Sequence, residues 1–342
     1  MGNDDETNGR GRVTLAEVAK LADVSLPTVS KVLNGRADVS RATRAKVEQL
    51  LEAHGYRRRP RTAPWPGLVE LVFHELDSIW AMELVKGVEQ VARENHATVV
   101  LTVSGTRHTP GPEWLDGVLQ RRPLGVVLVF STLPQDVKRQ LRSAAIPFVV
   151  VDPAGDPDPD VPSVGSANWA GGLAATRHLT ALNHERVAII TGPKDMLCSR
   201  ARLDGYRSAM AMAALDVDPR LIRFGDFHVQ GGFEHAMSLL DEPDRPTAIF
   251  AGSDLQALGV LEAARLKGLR VPQDLSVVGY DDVPLAQWSS PPLTTVHQPL
   301  RQMAEEASRM LFNQDESGKG AQRIELATHL VERQSTAPPG KS

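Results

Sequence analysis

The sequence predicts an α/β protein, with an N-terminal helix-turn-helix head joined to a two-lobed, doubly wound body. Three observations predict it. Residues 14–56 carry short helical signals and no strand signal. From Leu68 onward, short apolar runs alternate with longer amphipathic segments. Charge is also split: eleven Lys/Arg stand against five Asp/Glu between Arg12 and Pro66, in a chain whose net charge is −4. A basic head on an acidic body is the layout of a nucleic-acid reader attached to a separate module.

Residues 1–11 are polar and read as a disordered tail. Thr14 and Glu17 form a capping box for the first helix, which turns Leu15, Val18, Ala19 and Leu21 inward. Asp23 marks a tight turn, since Asp tolerates the left-handed region better than most residues. Ser25 caps a second helix over Leu26–Leu33, with Pro27 in its first turn where a missing N–H costs little. Asn34 and Gly35 stop it. Ser40 caps a third helix with Val47, Leu50 and Leu51 inward. Two short helices across such a turn place the second in a major groove. Leu26, Pro27 and Lys31 then point at base edges, and Thr28 and Ser30 suit phosphate oxygens. Thr14, Ser25 and Asn34 complete the candidate set on the head.

Residues 57–67, RRRPRTAPWPG, read as a basic proline-rich linker. Pro60, Pro64 and Pro66 oppose a helix there and favour an extended path. Arg57, Arg58, Arg59 and Arg61 would track phosphates or enter a narrow minor groove. Trp65 is expected to pack on the body rather than wedge into DNA.

The apolar runs of the body fall at 68–73, 98–103, 124–130, 146–151, 187–191, 247–251 and 275–279. Continuous rather than alternating, they suit central parallel strands covered on both faces. The segment 80–95 between the first two places Leu84, Val85, Val88, Val91 and Ala92 on one helical stripe. A single cysteine, Cys198, excludes an internal disulfide framework. An acidic N-terminus and the lack of a long apolar run lead us to expect a cytoplasmic, nucleoid-associated protein with no membrane partner. There is no P-loop, no strand-borne G-x-G-x-x-G, no G-x-S-x-G elbow and no metal-spaced His/Cys cluster. No enzyme activity, cofactor or metal is therefore expected.

The stretch TLAEVAKLADVSLPTVSKVLNGRADVSRATRAKVEQLLEAHGY resembles the headpiece of the lactose-repressor/galactose-repressor family almost throughout. The resemblance continues to about residue 335 through HERVAIITGP, the R-x-x-GY at Arg202, Gly205 and Tyr206, SDLQALGVLEA, DLSVVGYDD and PPLTTVHQPL. It implies a periplasmic-binding-protein-like sensor of two lobes crossed by three strands. It also implies a homodimer on a palindromic operator, and a small sugar effector between the lobes. The resulting division is a head at 12–56, a linker at 57–67, a body at 68–335 and a tail at 336–342. Lobe 1 spans about 68–161 and 293–322; lobe 2 spans about 162–292 and 323–335.

Ligands of doubly wound sheets bind beyond the C-terminal ends of strands. Asp152, Ser253 and Asp281 follow apolar runs and sit at such ends. With Arg202 they supply the polar forks that sugar hydroxyls need. Phe227 falls at the family's stacking position, and Trp80 offers a second aromatic face. The chain departs from its relatives in three places. Ala167-Asn168 replaces a common Asp-Asn, Ser253 stands where Asn is frequent, and the linker lacks the Ala-x-x-Leu pattern of a hinge helix.

Overall fold

The computed structural model describes residues 14–33, 39–53, 67–76, 78–105, 109–130, 132–313 and 321–340. Asn34 and the linker arginines Arg57, Arg58, Arg59 and Arg61 lie outside the described residues, as do Trp65 and the linker path.

The head is built from α1 (Leu15–Ala22), α2 (Leu26–Leu33) and α3 (Arg41–Ala53). The capping box forms as expected: the Glu17 amide donates to Thr14 Oγ1 at 3.3 Å, and the Thr14 amide donates to Glu17 at 2.6 Å. Asp23 takes the left-handed conformation, φ 57° and ψ 46°. Ser25 Oγ accepts from the Thr28 amide at 3.3 Å, and Ser40 Oγ from the Thr43 amide at 3.2 Å. Val18, Val29, Val47 and Leu51 close a small core of their own.

Lobe 1 is a six-stranded, wholly parallel sheet in the order β11-β5-β4-β3-β1-β2, and β12-β10-β9-β8-β6-β7 forms lobe 2. Their ranges are β1 (Gly67–Phe73), β2 (Ala97–Val103), β3 (Gly125–Val129), β4 (Phe148–Val151), β5 (Ser163–Ser166), β6 (Val187–Thr191), β7 (Ile222–Phe224), β8 (Ala248–Ala251), β9 (Ser276–Asp281), β10 (Thr294–His297), β11 (Arg323–Leu326) and β12 (His329–Val331). Only β12 runs antiparallel to its neighbour. Alternate residues of a strand enter different cores. Val127 and Val129 pack toward α4 (Ile79–Glu94) and α11 (Leu300–Phe312). Val126 and Leu128 pack toward α5 (Pro112–Arg121) and α6 (Gln135–Ser143). Lobe 2 repeats this plan, with α7 (Asn168–Ala181) and α8 (Leu197–Met212) on one face and α9 (Val229–Leu240) and α10 (Asp254–Leu266) on the other. Burial on both faces is what made these strands read as continuous apolar runs.

Four expectations need correction. Leu21, expected to turn inward, is 52% exposed, and Ala22 takes its place in the core of the head. The lobe boundaries at 161, 292 and 322 each fall one strand early. β5 pairs with β4, β10 with β9, and β11 with β5, so the chain crosses after Ser166, His297 and Leu326. β2 is an edge strand, not a central one, and leaves Leu101 and Val103 about half exposed. The tail begins later than 336: the Ala337 amide donates to Ser276 Oγ at 3.0 Å, and Ser335 is fully buried beside β9.

Two adjacent glycines, Gly171 and Gly172, have a packing role. A Cβ on Gly172 would meet the Arg202 carbonyl oxygen at 2.3 Å, and one on Gly171 the Tyr280 hydroxyl at 2.3 Å. Gly172 lets α7 and α8 approach closely at Arg202, and Gly171 lets α7 close on Tyr280 of β9.

Candidate functional site

The C-terminal ends of the strands in both lobes converge on one cleft. This is where doubly wound sheets place ligands. Lobe 1 contributes Phe73, His74 and Glu75 from the end of β1, Trp80 from α4 and Phe130 from the end of β3. Lobe 2 contributes Arg202 from α8, Asp226, Phe227 and His228 from the loop before α9, Ser253 before α10 and Asp281 from the end of β9.

Arg202 is the most tightly held of these. Its Nε donates to Asn168 Oδ1 at 2.8 Å, Nη1 to the Gly252 carbonyl at 2.6 Å and Nη2 to Gln298 Oε1 at 2.9 Å. The guanidinium lies 3.7 Å from the centre of the Tyr280 ring and 5.4 Å from that of Phe227. Asp281 Oδ1 stands 3.9 Å from Nη1, close enough for attraction but not a tight fork. Arg202 has five N–H groups, and the bonds named engage three of them. Burial pushes the Asp281 carboxyl well above its ordinary range; nearby Arg202 pulls it down and Asp254 pushes it up.

Asp152 does not line the cleft. It is buried beneath it, and its Oδ2 has no hydrogen-bond partner. Burial raises its carboxyl to about 6, against the opposing pull of Arg202 and a bond with Asn168. Cys198 is buried nearby, and its thiol is pushed up to about 12 by burial.

Ser253 both caps and braces. Its Oγ accepts from the Gln256 amide at 3.1 Å and donates to the Phe227 carbonyl at 2.8 Å. That bond holds Phe227 at φ 72°, a strained conformation for an aromatic residue. Phe130, Asp152 and Asp281 also have positive φ, at 50°, 48° and 108°. Strain of this kind gathers at binding sites, where surrounding structure compels it. Gly192 makes room for the Phe227 ring, which a Cβ there would meet at 2.0 Å.

Trp80 stacks on Phe130, with centroids 4.7 Å apart and planes within 10°. At the mouth, His74 Nε2 and His228 Nε2 both bond Glu75 Oε1, at 2.8 and 3.2 Å. The second contact joins the lobes, as does the Leu197 amide donating to the Ala154 carbonyl at 2.7 Å.

The structure thus brings five of the six sequence-selected cleft residues together: Trp80, Arg202, Phe227, Ser253 and Asp281. It adds Phe73, Glu75, Phe130, Asp226 and His228, which the sequence reading missed. Phe130 obeys the same strand-end rule as Asp152 and Asp281, and that signal was available. Glu75 and His228 lie 153 residues apart, with no local signal joining them. Trp288 is 79% exposed and is not part of the lining. On the head, Leu26, Pro27 and Lys31 are exposed on α2, with Thr28 and Ser30 half-buried. Ser25 and Thr28 bond each other at 2.8 Å. Among the described residues, no His/Cys/Asp/Glu cluster is arranged to hold a metal. No described helix is long and apolar enough to cross a membrane.

Comparison with known proteins agrees with both halves. Residues 14–59 match the model of bacterial regulatory proteins of the lacI family, and residues 176–336 match a periplasmic binding protein-like domain. The HTH-type transcriptional regulator CelR of Thermobifida fusca is 37% identical over 341 residues, covering 95% of this chain and 99% of that protein. A solved complex of the transcriptional regulator CelR with cellobiose aligns with a TM-score of 0.71 and 35% identity, over 95% of this chain and 100% of that one. The lac repressor dimer bound to operator and the anti-inducer ONPF aligns with a TM-score of 0.69 and 29% identity, over 96% of this chain and 100% of the other. The chain belongs to the lacI family of bacterial regulatory proteins.

Proposed function

We propose that the protein is a transcriptional repressor that reads a palindromic operator as a homodimer, and whose DNA binding is controlled by a small sugar held between its lobes. The observation that carries this reading is the cleft: a buried Arg202–Asp281 pair faces aromatic rings across two lobes, in a chain that also exposes a recognition helix. Sugars offer vicinal hydroxyls to such polar forks and C–H faces to such rings. The structural relative holding cellobiose supports that ligand class, and the operator-bound relative supports the DNA partner.

In this reading Trp80, Phe227, Ser253, Arg202 and Asp281 hold the effector, and Asp152 supports the cleft floor from beneath. Thr14, Ser25, Thr28 and Ser30 contact phosphates, while Leu26, Pro27 and Lys31 face bases. Asn34 and the linker arginines complete the DNA contacts. Exposed Leu101 and Val103 on the edge strand β2 are suited to burial in a dimer. The protein acts in the cytoplasm, on the nucleoid, and catalyses no reaction. Effector binding alters lobe closure and with it the population competent for DNA.

The test is selection of a DNA site by the full chain, followed by titration of that site with and without sugar. Lys31→Ala is expected to cost about 1–3 kcal/mol at one operator position and to relax preference there. An equal loss on operator and random DNA would make Lys31 a phosphate contact instead.

A further inference from the structure

We propose that the cleft selects against anionic sugars, so that the effector is an unphosphorylated, uncharged saccharide; this rests on the sugar reading above and narrows it. Two independent features argue for it: the charge balance of the lining and the occupied helix termini.

Among the described lining residues, Glu75, Asp226 and Asp281 are acidic and Arg202 is the one Lys or Arg. The charge of Arg202 already faces Asp281 at 3.9 Å, with buried Asp152 acting on the same guanidinium. Its remaining N–H groups can donate to hydroxyl oxygens, but no second Lys or Arg of the described lining stands ready to offset a phosphate there. His74 and His228 both bond one oxygen of Glu75, so neither imidazole is free to meet a ligand anion without giving up that contact. Lys194 follows lining residue Pro193, but its ammonium lies over the Phe224 ring, 4.5 Å from the centre. It is not part of the lining.

Phosphate groups commonly bind at helix N-termini, where free amides and the helix dipole converge. Four helices begin around this cleft, and at each a group of the chain itself is in place. Ser78 Oγ accepts from the Ala81 amide at the start of α4, and Ser253 Oγ from the Gln256 amide at the start of α10. The first amide of α8, that of Leu197, donates to the Ala154 carbonyl. At α9 the occupant is itself an anion. Asp226 Oδ1 accepts from the His228 amide at 2.9 Å, and a Cβ on Gly231 would meet the same oxygen at 2.3 Å. The position a phosphate would take at α9 is filled by a carboxylate. The sensor therefore reads its sugar before any phosphoryl transfer to it.

Calorimetry on the full chain with cellobiose, glucose and ribose, each paired with its monophosphate, tests this. The expected result is binding of at least one neutral sugar, with its phosphate at least about tenfold weaker. The double variant Glu75→Gln/Asp226→Asn is expected to narrow that gap several-fold by raising affinity for the phosphate. A phosphate that binds as tightly as its neutral partner, or a gap unchanged in the double variant, would overturn the inference while leaving the sugar reading intact. Binding of no member of any pair would overturn the sugar reading, and this inference with it.

Discussion

Lobe 2 holds Arg202 and Asp281 buried, with Arg202 multiply bonded, whereas lobe 1 offers the cleft aromatic faces and more exposed polar tips. Arg202 and Asp281 are 3% and 6% exposed, and three uncharged acceptors fix the Arg202 guanidinium. Trp80 and Phe130 hold each other mainly by stacking, and Glu75 is partly exposed. Asp152, a buried acid of lobe 1, is not part of the lining. The difference teaches a division of labour. Lobe 2 carries a preorganised polar grip whose geometry is set before ligand arrives. Lobe 1 supplies apolar surface that completes the site as the lobes close.

The first way to break this comparison is Asp281→Ala. It removes an acceptor from lobe 2 and leaves Arg202 less well compensated. Sugar affinity is expected to fall about 100-fold, near 3 kcal/mol, by calorimetry. DNA binding without sugar should persist. An unchanged dissociation constant would remove Asp281 from the site.

Asp152 gives an effect of similar size on stability rather than on binding. Its carboxyl rises from 3.8 to about 6 on folding. The folded state therefore holds the proton more tightly than the unfolded state. The stability this group gives is fully present below about pH 4 and is lost as pH rises through 6. The span corresponds to about 3 kcal/mol at neutral pH. Asp152→Asn is thus expected to raise the melting temperature at pH 7.5, with the advantage shrinking toward pH 4. A pH-independent difference would mean that Asp152 is not the buried acid described. Burial also raises Asp254, to about 7, so the parent protein should lose stability over the same direction of pH.

Trp80→Ala tests lobe 1. Loss of one stacked ring is expected to weaken sugar binding by about 1.5 kcal/mol, roughly tenfold. A larger loss than that of Asp281→Ala would reverse the division of labour. The smallest effect belongs to Ser253→Ala. It removes the α10 cap and the brace on Phe227, at about 1 kcal/mol of stability by chemical denaturation.

The same contrast explains what was legible in the sequence. The lobe 2 grip could be read because Ser253 and Asp281 follow long apolar runs, and because the R-x-x-GY block marks Arg202. The strands β5, β10 and β11 could not be read as runs. Each has four residues, and Ser163-Val164-Gly165-Ser166 has little apolar signal, so every lobe boundary was set one strand early. The run at 98–103 looked central because periodicity cannot distinguish a strand covered by its own helices from one that leaves Leu101 and Val103 exposed at an edge. The mouth of the cleft was not legible at all. Glu75 and His228 meet only because two separate sheets face each other. The head was read nearly residue by residue, because caps and tight turns are local chemistry.

The central claim is that occupancy of this cleft controls DNA binding by the head. The most direct measurement is fluorescence anisotropy of the full chain on its selected DNA site, with and without a sugar shown to bind, for the parent and Asp281→Ala. The account predicts at least a tenfold change in DNA affinity on adding sugar to the parent, and none for Asp281→Ala at the same sugar concentration. DNA affinity that ignores bound sugar in the parent, or that responds equally in Asp281→Ala, would contradict it.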